Sequence, residues 1–122
     1  MAVHRRLAIT DVGDVTVVRF ADRRILDDVN IQEIGQELYQ LVEEEHRDRV
    51  LLNLCDVDFL ASSALGKLIT LQRKIKARGG TLKLSNVRPE IYEVFAITKL
   101  NAKFEIHDEE EEALKAFADN ES

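Results

Sequence analysis

The chain has no tryptophan, one cysteine, one proline and one methionine, and aromatic residues make up only 6% of it. With so few rings to bury, the core must be built mainly from Val, Ile and Leu. A lone thiol, Cys55, excludes an internal disulfide. No apolar run is long enough to span a bilayer. The opening stretch, Met1 to Arg6, is too short and too polar for a signal peptide. An excess of cationic charge is also missing. The net charge of −6 argues against nonspecific binding to nucleic acid, and no aromatic residues are interleaved with basic ones. There is no Gly-x-x-x-x-Gly-Lys loop, no internal repeat and no low-complexity linker. These absences together lead to the expectation of a cytoplasmic protein.

What remains is an ordinary globular composition. The chain has 122 residues, 45% of them apolar, enough to bury a real core. A single domain over residues 1–122 is expected, with its core from about 7 to 118.

Hydrophobic spacing sets out the elements. Leu7-Ala8-Ile9 and Val15 to Phe20 predict strands, and Asp11-Val12-Gly13-Asp14 between them predicts a hairpin turn. Ile31, Ile34, Leu38, Leu41 and Val42 recur at helical spacing, predicting a helix over 30–46 with Asp28 or Asn30 as its cap. Val50 to Leu54 is a nearly continuous apolar run, as expected of a central strand covered on both faces. Leu65, Leu68, Ile69, Gln72 and Ile75 predict a helix from Ser62 to Arg78, ended by Gly79-Gly80. A strand over 81–85, a helix over 89–97 begun by Pro89, a short strand over 103–107 and a helix over 109–118 complete the series. The acidic run Asp108 to Glu112 fits the first turn of that last helix. Alternating strands and helices imply right-handed crossovers and a largely parallel sheet, made mixed by the first hairpin. Periodicity thus supports an α/β or α+β sandwich.

The segment from Asn53 to Gly66 carries the functional question. It reads as the end of a buried strand, a tight loop, then two serines opening an amphipathic helix. Unpaired N–H groups and partial positive charge collect at a helix start. A hydroxyl there can cap the helix or carry a phosphate, and both uses are open for Ser62. Ser63 lies inside the first turn and is the poorer acceptor. Asp56 and Asp58 are too few for a Mg²⁺ or Ca²⁺ site and suit turn hydrogen bonding or solvation. Cys55 has no CxxC partner and reads as a structural thiol. His4, His46 and His107 share no ligand spacing, so no metal is expected. Lys67, Lys74 and Arg78, flanked by Arg73 and Lys76, lie near one helix face. They form either a solvated face or a landing strip for an acidic partner. No nucleophile, base and oxyanion hole come together, so no catalytic residues and no cofactor are assigned. An enzyme hypothesis would have to place its turnover on Ser62 or Cys55.

Leu52, Leu54, Val57, Asp58, Phe59, Ser62, Ser63, Leu65 and Gly66 resemble the central motif of STAS domains, and of anti-sigma factor antagonists in particular. Departures from that pattern are Asn53 (an aspartate in the family), Cys55, Asp56, Ala61 (also an aspartate) and Ala64 (a glycine). Arg78 to Leu84, Arg88-Pro89-Glu90, Ala96 to Leu100 and Phe104 continue the likeness. The resemblance implies a STAS-like single domain of α/β class, with a mixed, mostly parallel sheet flanked by about four helices. It implies that Asp56, Asp58, Phe59, Ala61, Ser62, Ser63, Ala64 and Lys67 face a protein partner, and that Ser62 is the phosphorylated serine. It further implies an anti-sigma factor serine kinase as partner and a phosphatase acting on the phosphoserine. Sequestering the anti-sigma factor would free a sigma factor for transcription. The alternative is a non-enzymatic STAS scaffold or regulatory subunit of a stress-signalling or transport complex. The replacement of aspartate by Ala61 bears on that choice, and the oligomeric state stays open.

Overall fold

The structure, a computed structural model, describes residues 6–119. His4 and all but Arg6 of the opening stretch Met1 to Arg6 lie outside the described residues. Strands β1 (Leu7–Val12) and β2 (Val15–Phe20) form the expected hairpin, with Gly13 at φ +64° in its turn. A two-residue strand β3 (Arg24–Ile25) leads into α1 (Asp28–Glu43). Then come β4 (Arg49–Asn53), the two-residue β5 (Phe59–Leu60) and α2 (Ser62–Ala77). Strand β6 (Thr81–Ser85), α3 (Pro89–Ile97), a 3₁₀ turn (Leu100–Ala102), β7 (Glu105–His107) and α4 (Glu110–Asp119) complete the chain.

The main sheet has the order β1-β2-β4-β6-β7. Only the β1–β2 pair is antiparallel, and β2–β4, β4–β6 and β6–β7 are parallel. Side chains of a strand alternate between faces. On one face Val18, Phe20, Val50, Leu52 and Leu84 share a cluster with Leu38 and Leu41 of α1, Leu71 and Ile75 of α2, and Ile91 and Phe95 of α3. On the other, Val15, Val17 and Leu51 meet Ala113, Leu114 and Phe117 of α4. Because β4 is covered on both sides, Val50, Leu51 and Leu52 are all fully buried, the reason its sequence is a continuous apolar run.

Several expected boundaries move. α1 starts at Asp28 behind Asp27, whose side chain makes no capping bond, so neither Asp28 nor Asn30 caps it. It ends at Glu43 rather than His46, because the chain leaves the helix there and His46 turns to φ +56°. The strand over 103–107 shortens to Glu105–His107, since Leu100–Ala102 winds into a 3₁₀ turn and Lys103 and Phe104 bond back to Leu100 O. The pair β3–β5 has no expected counterpart. Two residues are too few for a period to register.

The Gly79-Gly80 stop works in two ways. Gly79 takes φ +76°, and a Cβ on Gly80 would stand 2.1 Å from Asp48 O. That contact brings β6 beside β4, where Thr81 N donates to Asp48 O at 2.8 Å.

Lysine and arginine on α2 stitch it to α1. Lys67 lies across Gly35, where a Cβ would approach its Cδ to 2.9 Å, and its Nζ donates to Gln32 Oε1. Lys74 pairs with Glu43 at 3.2 Å and covers the Tyr39 ring, while Arg78 meets His46 Nδ1 at 2.8 Å. Lys67 and Lys74 are therefore half-buried against α1, while Arg78 stays exposed to solvent. Arg73 and Lys76 are exposed.

Candidate functional site

The loop after β4 is fixed from three directions. Within the main sheet, Arg19 of β2 reaches over it, its Nη2 donating to Asp56 Oδ2 at 3.0 Å and to Cys55 Sγ at 2.9 Å. Cys55, and then Asp56, raise the Arg19 guanidinium pKa further above its ordinary value. From the residue that precedes α3, Arg88 Nε donates to Cys55 O at 3.1 Å. From the β3 side, Asp58 N donates to Arg23 O at 2.8 Å and the Asp58 carboxylate pairs with Arg23 at 3.5 Å. The buried Val57 side chain pins the middle of the loop. Exposed pairs of this kind add little stability, about 0–1 kcal/mol each, but they set position.

β5 then pairs with β3 in parallel, Arg24 opposite Phe59 and Ile25 opposite Leu60. Ala61 N continues the pairing to Ile25 O at 2.9 Å. The pair sets the start of α2 beside the chain that enters α1. The capping position of α2 is Ala61, in an extended conformation (φ −66°, ψ 148°) and with no side-chain capping bond. Ser62 is the first helical residue. Ser62 and Ser63 are both exposed. The capping role open to Ser62 is thereby excluded, since the residue before it holds that position.

Asp56, Asp58, Phe59, Ala61, Ser62 and Ser63 are brought together at this end. Two expected contact residues are not part of the exposed surface. Ala64 is 5% exposed and packs inward with Leu60 and Leu68, because the helical period turns it toward the core. Lys67 points along the α1–α2 seam toward Gln32. Residues that the sequence did not single out join instead. Phe59 is 43% exposed, Leu26 (40%) lies exposed on the chain between β3 and α1, and Val29 (67%) lies exposed in the first turn of α1. Arg24 covers the Phe59 ring at 5.8 Å. Asp27 and Asp28 are exposed beside them. Exposed Arg23 and Arg24 lie on the same side, so the surround of these apolar side chains is of mixed charge. Arg19, Arg23 and Arg88 could not be found by spacing, since each reaches the loop from a distant part of the chain.

Among the described residues, no three His, Cys, Asp or Glu side chains converge as metal ligands, and no helix is long and apolar enough to cross a membrane. Cys55 is half-buried, and His46 and His107 engage Arg78 and Glu105.

The STAS domain family model matches residues 6–113. BtrV of Bordetella bronchiseptica, provisionally named an anti-sigma factor antagonist, is 27% identical over 93 residues, 76% of this chain and 79% of BtrV. The structure of an anti-sigma-factor antagonist (STAS) domain protein from Planctomyces limnophilus superposes with a TM-score of 0.82 at 27% identity, covering 92% of this chain and 97% of that one. The Bacillus cell fate determinant SpoIIAA, solved in its phosphorylated form, has the same fold, with a TM-score of 0.68 at 21% identity over 91% of this chain and 98% of its own. The mixed five-stranded sheet with four helices is the fold the sequence resemblance implied. The chain belongs to the STAS domain family, and its relatives within that family are named as anti-sigma factor antagonists.

Proposed function

We propose that this protein is an anti-sigma factor antagonist that binds a kinase-type anti-sigma factor through the surface around Ser62, and that phosphorylation of Ser62 releases it. Sequestering that factor in the cytoplasm frees a sigma factor for transcription. The partner supplies ATP and the kinase activity, a phosphatase restores the serine, and the antagonist itself performs no catalysis.

One observation carries this reading. Ser62 is an exposed hydroxyl at the first position of α2, relieved of the capping role by Ala61 and flanked by the exposed ring of Phe59. A phosphate there would bring nearly two negative charges to the positive end of the helix. The domain tolerates it, because the charge meets free N–H groups and water. A partner seated on Phe59, Leu26 and Val29 does not, because it would have to bury that charge. Charge added without unfolding makes the surface two-state for binding.

The test is phosphopeptide mapping of residues 56–67 in the native host, joined to binding measurements with the purified anti-sigma factor. Ser62→Ala is expected to fold normally and bind constitutively, and Ser62→Asp to bind weakly with an unchanged fold. An unmodified segment under both growth and stress, with Ser62→Asp binding normally, would remove the switch. One feature favours a second reading as a scaffold or regulatory subunit: Ala61 leaves the loop without the carboxylate that the family pattern places before the serine. In that case the segment stays unmodified and the same surface binds its partner permanently.

A further inference from the structure

Asn53 ends β4 with its side chain on the α4 face of the sheet, 5% exposed. Both ends of its amide are in use. Oδ1 accepts from the backbone N–H of Cys55 at 2.9 Å, and Nδ2 donates to Glu110 Oε1 at 2.8 Å. Cys55 opens the loop that leads through Asp56, Asp58 and Phe59 to Ser62. Glu110 is the first residue of α4. One buried side chain therefore holds the loop with one atom and the helix with another.

The other contacts of α4 lie further along it. Ala113, Leu114 and Phe117 provide its apolar contact, and Arg49 donates to Phe117 O at 2.8 Å near its far end. Loss of the Glu110 contact falls on the first turn, ahead of the buried Ala113 and Phe117 that hold the rest of the helix. The bridge also depends on residue type. An aspartate at 53 could accept from Cys55 N–H, but it could not donate to Glu110, and the two carboxylates would repel. An amide alone among side chains of this size serves both partners.

We infer that Asn53 couples the docking of α4 to the conformation of the Cys55–Leu60 loop, so that loosening the helix loosens the surface that presents Ser62. Its consequence for binding rests on the proposed partner surface, while the coupling itself belongs to the free protein.

Residue-resolved hydrogen exchange on the full chain tests it. Glu110→Ala removes the acceptor on α4 and touches nothing in the loop. The Cys55 amide is expected to exchange roughly fivefold faster, the size of one lost hydrogen bond. Glu110→Gln, which keeps an acceptor oxygen, restores protection. Asn53→Asp separates the two ends: the Cys55 amide stays protected while the amides of α4 exchange faster. An unchanged Cys55 amide in Glu110→Ala overturns the coupling, and so does a fast one in both Glu110 variants. Partner affinity of the same variants reports separately. Weaker binding by Glu110→Ala carries the coupling through to the interface. Equal binding with a faster Cys55 amide leaves the coupling standing and removes this loop from the partner surface.

Discussion

On one face of the sheet Leu38, Leu41, Leu52, Leu71, Ile75 and Leu84 are all essentially inaccessible, pressed together by three helices. On the other face, α4 rests on Val15, Val17 and Leu51, and beside them lies Lys83, as fully buried as any leucine. Lys83 Nζ pairs with Glu105 Oε2 at 2.6 Å and stands 5.1 Å from the centre of the Phe117 ring, which Arg49 approaches at 5.3 Å. The first face is held by volume and shape. The second is held by a few apolar contacts and by charges whose satisfaction is conditional. Cavity formation should therefore dominate damage to the first face, and unpaired charge should dominate damage to the second.

The largest effect is expected on the apolar face. Leu71→Ala deletes a fully buried side chain between α2 and the sheet, and denaturant unfolding should show a loss of about 3–4 kcal/mol. A loss below about 1 kcal/mol would mean that this face collapses around the gap, and the contrast between the faces would weaken. Glu105→Ala comes next. It strands the buried Lys83 ammonium, and because Glu105 is itself half exposed, water can partly replace it. About 2 kcal/mol is expected, less than the 3–5 kcal/mol of a fully enclosed pair.

Replacing the charge instead of stranding it should behave in the opposite way. Lys83→Met keeps the length of the side chain and removes the ammonium. Stability is expected to lie between no change and a gain of about 2 kcal/mol. The acid limb of the stability profile gives the sign independently. Burial alone would raise the Glu105 carboxyl, but hydrogen bonds from Lys83 and His107 outweigh it and hold the pKa below its ordinary value of 4.5. A carboxyl held low in the folded state stabilises in full above that ordinary value and loses its contribution as the pH falls through the folded value. Wild type should lose stability on acidification below pH 4.5 more steeply than Glu105→Gln. Parallel profiles would show that Lys83 draws nothing from Glu105.

How much of this could be read from the sequence follows the same division. The apolar face announces itself, because Ile31, Ile34, Leu38, Leu41 and Val42 repeat along a helix and Val50 to Leu54 are apolar at all but Asn53. Ser62 and its loop were legible through the family resemblance, with Phe59 at their side. The polar face was not legible. Lys83 occupies an alternating position of β6 where a lysine ordinarily points to water, and only the assembled fold places Phe117 and Glu105 over it. Asn53 read as a departure from a pattern, because its partners lie two residues and 57 residues away. The cations of α2 misled for the same reason. Their spacing shows that they share a face, and the packing shows that α1 half-covers Lys67 and Lys74 and leaves Arg73, Lys76 and Arg78 in solvent. Ala64 and Lys67 were assigned to the partner surface by position in a motif, whereas the helical period and the open space over Gly35 decide where they point.

The smallest expected effect lies at the edge of the apolar face, where α2 begins. Ala61 is in capping geometry with no acceptor to offer, so Ala61→Asp should supply one to the first-turn N–H groups and stabilise the fold by about 0.5–1 kcal/mol. The gain should be the same in the Leu71→Ala background, since a cap and a distant cavity act independently. The new carboxylate would also stand next to Ser62, and its charge would occupy the dipole that a phosphate would use. Partner affinity should therefore change while stability rises, a combination that neither face of the sheet can produce. Thermal unfolding and binding measured on the same variant decide it. A stabilised protein with unchanged affinity would place the interface away from this loop. Unchanged stability would mean that the N–H groups at the start of α2 already have their partners in water.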